Sequence, residues 1–285
     1  MKPKVSVLIP TLGRDTLYLL IKKILKQKVD FDYEIVLLPQ RPLREDELKD
    51  KKIRFRYEKL GKGFAYYRNV LIKMARGDTL VWIDDDEEPM DDKWLENIVR
   101  PILDKKEKVT TAGVYIKLGQ GYLTDSISLL GFPGGGAVGF ETMWEVDSRN
   151  YTSHLCSGNF AIEKRTILSI KGFSKNLKFG SEDVDLADKI VGKKIKIKYI
   201  KNAAVYHVAR RGLVNFVKWN FLRGKSAAHY LKKKKSDKKV GGRLASSKRI
   251  LAKVLKTKYF FGVVFLMIIQ YVCQIAGFLV GRARR

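Results

Sequence analysis

The sequence predicts an α/β fold, a mainly parallel sheet flanked by helices, followed by a C-terminal hydrophobic helix. Three observations predict it. Short apolar runs alternate with helical periodicities over the first two hundred residues, one such run, Val81-Trp82-Ile83, ends in five consecutive carboxylates (Asp84, Asp85, Asp86, Glu87, Glu88), and residues 259–281 carry no charge. Ligands of parallel sheets gather at the carboxyl ends of the strands, and the carboxylate run stands at such an end.

Taken in order, residues 4–9 form an apolar run closed by Pro10, as a buried strand does. Asp15 is placed to cap a helix running to about Lys28, with Leu17, Leu20, Ile21, Ile24 and Leu25 at helical spacing. Residues 34–38 and 53–57 read as strands around a charged, proline-marked loop. Residues 63–75 have a helical apolar pattern, and Gly77 is placed to end that helix in a left-handed turn. The strand at 79–84 follows, then a helix at 94–103 and a strand at 109–116. Residues 119–153 are rich in glycine and resist assignment. A helix opens near Ser181 and continues through Leu186 and Ile190, strands follow at 195–200 and 203–207, and 212–231 is a basic helix leading to the apolar segment.

Charge is distributed unevenly. Residues 201–285 hold 21 bases and one acid, Asp237, and so carry +20 of the chain's +27. Such an excess implies an anionic partner, nucleic acid or a membrane surface. The uncharged run at 259–281, flanked by Lys256, Lys258, Arg282, Arg284 and Arg285, reaches the roughly 20 residues of a spanning helix and favours the membrane; a buried core helix is the alternative. Lys232 to Lys235, with Lys238, Lys239, Arg243, Lys248 and Arg249, then reads as a juxtamembrane polybasic segment facing anionic headgroups, or as a solvated linker. The heavier basic flank on the N-terminal side of the segment predicts a main domain facing the cytoplasm at the cell membrane. No leader is expected ahead of the first strand, and Cys156 and Cys273 are expected to be free thiols. The organisation this predicts is a main α/β domain at 1–210, a basic helical juxtamembrane segment at 211–258, a transmembrane or interfacial helix at 259–281 and a basic tail at 282–285.

Five neighbouring carboxylates repel one another unless a cation compensates them. An oxygen-only donor set favours Mg²⁺ or Mn²⁺, ions that share their coordination with substrate phosphates. The run therefore predicts a metal-assisted diphosphate site.

Six segments in order, Val5-Ser6-Val7-Leu8-Ile9-Pro10-Thr11, Gly63-x-Ala65-x-x-Arg68-Asn69, Asp84-Asp85-Asp86, Cys156-Ser157-Gly158-Asn159-Phe160-Ala161-Ile162, Gly172-Phe173 and Glu182-Asp183-Val184-Asp185-Leu186, span residues 4 to about 225 with the basic helix that follows them. Their order resembles glycosyltransferase family 2, inverting enzymes of the Rossmann-like GT-A fold that use nucleotide-diphosphate sugars. The resemblance implies that Thr11 faces the nucleotide, unless it only closes the strand, and that Arg68 and Asn69 hold a phosphate or the aspartates, unless Arg68 pairs with a surface carboxylate. It places the family's Asp-x-Asp on Asp84-Asp85-Asp86, where alternation along an extended segment would give Asp84 and Asp86 a common face. Asp86 is then the metal contact, with Asp84 toward the ribose or a metal-bound water, Asp85 counted with the donor-binding residues, and Glu87 and Glu88 solvated. Asp183 is the implied general base, with Glu182 as its neighbouring alternative; Asp185 supplies helix N-terminal charge. His207 falls where many relatives place a metal-binding histidine, though a structural histidine at a strand end is as good a reading.

The chain departs from the family where a carboxylate reads the nucleobase. Leu38-Pro39-Gln40-Arg41-Pro42 stands there, so Gln40 is the candidate base contact and the base stays open. The Gln-x-x-Arg-Trp signature of processive synthases is missing, and Arg210, Arg211 and Arg223 bring charge but no motif, which favours single addition. The apolar segment and its basic flank predict a lipid-linked or membrane-proximal acceptor. A membrane-tethered nucleic-acid binder and a non-catalytic glycan binder are the competing classes; nucleic acid is not expected, because the bases lack interleaved aromatics.

Overall fold

The computed structural model describes residues 2–131, 134–177, 180–209, 211–233 and 238–283; Arg210, Lys234, Lys235, Arg284 and Arg285 lie outside the described residues. In chain order the elements begin with β1 (Val5–Thr11), α1 (Asp15–Leu25), β2 (Tyr33–Pro39), β3 (Ile53–Phe55), α2 (Phe64–Met74), β4 (Thr79–Ile83), β5 (Glu87–Pro89) and α3 (Trp94–Leu103). They continue with β6 (Val109–Thr111), β7 (Val114–Tyr115), α4 (Tyr122–Leu129), β8 (Gly135–Gly136), α5 (Phe140–Met143), β9 (Tyr151–Thr152), β10 (Asn159–Glu163) and α6 (Lys164–Ser169). The last are α7 (Glu182–Gly192), β11 (Ile197–Tyr199), β12 (Val205–His207), α8 (Leu213–Lys233), α9 (Lys238–Val254) and α10 (Phe260–Ala283). They fall into two compact units.

The first unit comprises residues 1–113, 146–175 and 182–206. Its sheet has eight strands in the order β3-β2-β1-β4-β10-β6-β11-β9. β1 runs parallel to β2 and β4, and β2 to β3, as the strand–helix alternation predicts. β10 enters antiparallel between β4 and β6, so Asn159 pairs with Ile83 and brings the Cys156-Ser157-Gly158 turn to the carboxyl end of β4. All five residues of β4 are buried, and Trp82 stacks on Phe160 with ring centroids 4.6 Å apart. These two rings anchor a core that α2, α6 and α7 cover with Leu71, Ile167, Leu186 and Ile190.

Several local expectations change. Asp15 is the first residue of α1 rather than its cap, and Arg14 takes the cap position with no side-chain hydrogen bond. Gly77 does not turn left-handed: α2 ends at Met74, and a Cβ on Gly77 would lie 2.7 Å from the Ser6 nitrogen. That glycine is required by close backbone approach, not by φ. The run 109–116 divides into β6 and β7.

The second unit holds residues 114–145, 176–181 and 207–285. The glycine-rich stretch that resisted assignment contributes α4 and α5 to it, because Ile127, Leu129, Leu130 and Val138 join Phe216, Ile250, Val254, Val263, Leu266 and Met267 in one apolar cluster. The segment read as a linker is thus partly the helix α9, fixed by Ile250 and Val254.

Candidate active site

The chain leaves β4 at Ile83 and turns at once, the Glu87 N–H reaching the Asp84 carbonyl at 3.1 Å. The aspartates are therefore not extended, the chain resuming a strand only at Glu87 in β5, and their side chains disperse instead of alternating. This corrects the common face expected for Asp84 and Asp86.

Asp85 turns inward. It accepts hydrogen bonds from the Thr11 hydroxyl at 2.7 Å and the Leu12 N–H at 3.0 Å, and Arg14 lies 3.0 Å from its other oxygen. Burial raises its pKa above the ordinary carboxylate value, and the Thr11 hydroxyl and Arg14 oppose the rise. Thr11 and Asp85, both expected to face a nucleotide, thus face each other and tie the end of β1 to the end of β4. Arg14 also reaches Asp86 at 3.1 Å. No motif pointed to Arg14 beyond its place after the first strand.

Asp84 pairs with Arg68 at 3.1 Å. Arg68 rises from α2, is 2% exposed, and also donates to the Ser157 carbonyl at the entry of β10. Its reading as a surface ion pair is excluded by that burial. Glu87, expected to be solvated, is buried: its carboxylate accepts the Asp84 N–H at 3.0 Å and fills the space where Gly158 has no side chain. Burial first, and then the nearby Asp84, push Glu87 well above its usual range. Glu88 stays at the surface with Lys23.

The opening turn of α7 brings in the second pair. Ser181 adopts a left-handed φ of 63° immediately before it. Glu182 is buried, and its Oε2 has no hydrogen-bond partner. Burial, reinforced by the charge of Asp183, pushes its pKa up to about 7, while Arg68 pulls the other way and Asp84 adds repulsion. Asp183 is half-buried and accepts the Val184 N–H at 2.7 Å. Asp185 turns into the unit and takes the Ser174 hydroxyl at 2.6 Å. The buried Cys156 thiol is raised by burial and then by Glu87 and Asp183, which places all three in one locale. Arg68, Asp84, Glu87, Glu182 and Asp183, remote in sequence, are thereby assembled in one place.

Other expected residues go elsewhere. Asn69 donates to the Phe173 carbonyl at 2.8 Å and accepts the Phe173 N–H at 2.9 Å, so its amide clamps the chain before α7 instead of holding a phosphate or the aspartates. Gln40 donates its side-chain N–H to the Leu38 carbonyl at 2.9 Å, and its main-chain N–H to the Thr11 carbonyl at 3.0 Å. His207 ends β12, buried, with Nδ1 against the Val208 carbonyl, in the second unit.

Among the described residues, no three His, Cys, Asp or Glu side chains form a ready cage for an ion. The oxygen donors nevertheless fit a hard divalent cation held by one or two carboxylates and completed by substrate phosphates. Glu182 Oε2 is the observation that fits: a buried carboxylate oxygen without a partner, among further carboxylates, lacks positive charge.

The family model described as glycosyl transferase family 2 matches residues 6–168, and one described as the N-terminal domain of galactosyltransferase matches residues 141–211. No curated protein matches in sequence. Among solved structures, the chain is similar to the mannosyltransferase PcManGT from Pyrobaculum calidifontis in complex with GDP-Man and Mn²⁺, at 15% identity and TM-score 0.60, covering 99% of this chain and 86% of that one. It is also similar to GalNAc-T7 with UDP, GalNAc and Mn²⁺, at 16% identity and TM-score 0.54, covering 73% of this chain and 44% of that one. At these identities the likeness is one of fold.

Proposed function

Because the chain belongs to glycosyl transferase family 2 and has its GT-A fold, we propose that it moves one sugar, with inversion, from a nucleotide-diphosphate sugar to a hydroxyl of a lipid-linked or membrane-proximal acceptor. The observation that carries this reading is the buried Arg68–Asp84 pair within reach of the charge of Glu182, whose buried Oε2 is left unpartnered. Two structures of like fold, described with GDP-Man or UDP and with Mn²⁺, support a nucleotide donor and a divalent ion here. The nucleobase stays open, since those two differ in it.

In this reading Asp86 holds Mn²⁺ or Mg²⁺, and the ion when bound offsets charge on the departing diphosphate. Arg68 orients Asp84 and ties it to the β10 turn. Asp183 takes the acceptor's proton as the hydroxyl oxygen attacks the anomeric carbon. Access supports Asp183 over Glu182: the former is half-buried with one oxygen uncommitted in the first turn of α7, and the latter is sealed from solvent. Residues 1–210 form the catalytic domain, facing the cytoplasm. Residues 211–258 and 259–281 attach it to an anionic membrane surface, with the basic tail 282–285 beyond them. The apolar helix α10 and the +20 charge of residues 201–285 support that attachment.

Two variants of the full chain test the proposal. Asp86→Ala should abolish transfer and weaken Mn²⁺-dependent donor binding in calorimetry; Asp183→Ala should abolish transfer and leave donor binding largely intact. Radiolabel from the donor should appear in an organic-extractable product. Turnover that survives both substitutions would refute the assignment, and label confined to water-soluble acceptors would refute the lipid-linked one.

A further inference from the structure

Sequence alone leaves open whether the apolar C-terminal helix crosses a bilayer or lies in it. The second unit supplies the missing observation. α10 is apolar all round, yet the structure divides its circumference. Val263, Leu266, Met267, Gly277 and Gly281 are covered by the unit, whereas Phe261, Phe265, Ile268, Val272, Ile275 and Leu279 are 58–81% exposed. The exposed six recur at alternating spacings of four and three residues, so they form one bare row along almost the whole helix.

The covered face is joined to α8 through backbone. A Cβ on Gly277 would collide with the Phe221 carbonyl oxygen, one on Gly224 with the Gln274 carbonyl oxygen, and one on Gly281 would sit 2.8 Å from the Lys225 carbonyl oxygen. Gln274 donates to Asn220 at 2.9 Å. The contacts advance together along both helices, from Asn220 and Gln274 to Ala228 and Gly281, so α8 and α10 run parallel along a seam of small residues. At the other end, Tyr259 donates to Asp125 at 2.9 Å and the Gly262 N–H reaches the Tyr122 hydroxyl at 3.1 Å, which ties the start of α10 to α4.

This seam decides the orientation. α8 carries Lys218, Arg223 and Lys225 along the length that accompanies α10. If α10 crossed a bilayer in this packing, it would carry those cations to hydrocarbon depth, where they are strongly disfavoured. We propose that α8 and α10 act as one glycine-seamed pair lying along the surface of an anionic bilayer, the bare row of α10 immersed at the headgroup–acyl boundary and the α8 cations at headgroup level. The occupant of the row is lipid, because the surrounding residues 201–285 carry +20, which complements an anionic leaflet and opposes pairing with a second copy. The proposal deepens the membrane attachment given above and rests on it.

The test uses the full chain with a C-terminal epitope, added to sealed vesicles of mixed phosphatidylglycerol and phosphatidylcholine. External protease should remove the epitope from bound protein. Fluorophores placed singly through Phe265→Cys, Ile268→Cys, Val272→Cys and Ile275→Cys, in a Cys273→Ser background, should report one shallow depth by lipid-borne quenchers. An epitope protected inside the vesicle, or depths that peak at the middle positions and fall toward both ends, would overturn the in-plane arrangement and leave membrane attachment standing. Failure to bind vesicles, or a soluble dimer that hides the row, would overturn both.

Discussion

Replacing Glu182 by glutamine should make the protein more stable at high pH and change little at low pH. The carboxyl is 5% exposed, Oε2 has no partner, and the charges of Asp183 and Asp84 outweigh Arg68 in disfavouring ionisation. Below its ordinary value of 4.5 the carboxyl is protonated in folded and unfolded chains alike, and folding meets no penalty from it. Between 4.5 and about 7 the unfolded chain releases the proton while the folded chain keeps it, so stability falls as pH rises, and the loss is complete above the folded value. At ~1.4 kcal/mol per pH unit this interval corresponds to a penalty on the order of 3 kcal/mol. Glutamine keeps the shape and never ionises. Its buried amide adds a constant offset that does not vary with pH.

Urea unfolding of both proteins in detergent, followed by near-ultraviolet circular dichroism from pH 4.5 to 8.5, measures the difference directly. The curves should diverge by roughly 2–3 kcal/mol in favour of Glu182→Gln between pH 4.5 and 7 and run parallel above that. Manganese at pH 8 should narrow the gap, because a bound cation supplies the charge that the carboxylate lacks. Curves parallel over the whole range would refute the reasoning: Glu182 would then be ionised in the fold with a partner of its own.

Two further substitutions probe the surroundings. Arg68→Met removes the partner of Asp84 and the donor to the Ser157 carbonyl; it should cost about 3 kcal/mol, as breaking largely buried pairs does, and move the Glu182 transition to higher pH in the same urea series. Gly77→Ala drives a methyl group to 2.7 Å from the Ser6 nitrogen; it should cost about 1–3 kcal/mol, read as a lowered melting temperature, and a neutral result would show that β1 can yield there.

The long elements were legible because each buries a face large enough to impose its own period. The helix expected at 94–103 is α3 end to end, and the apolar run before the aspartates is β4. Residues 119–153 were illegible for the opposite reason. Their elements are short, β8 of two residues and α5 of four, and distant parts of the chain hold them: Ser246 donates to the Met143 carbonyl at 2.6 Å, and Lys253 to that of Val138. No local pattern encodes such contacts. Gly77 was found at the right place with the wrong reason, since a glycine demanded by φ and one demanded by a neighbouring strand look the same in sequence.

At the site, sequence identified the types of group and could not say which would lose water. The acidic run was legible as a surplus of charge, but strand alternation was applied to Asp84 and Asp86 across a turn, and Glu87 was read as solvated although it is packed against Gly158. Desolvation governs what such a site can hold. A carboxylate in water needs no counterion; once Glu87 and Glu182 are enclosed beside Asp84 and Asp183, each must take a proton or share a cation. Protons and a divalent ion are then alternative ways of neutralising one cluster, and near neutral pH the balance is close for Glu182. Folding thus converts a run of acids at the end of β4, joined by a second pair from α7, from an ordinary solvated surface into a place whose charge, beyond what Arg14 and Arg68 offset, is met by protons or by a cation.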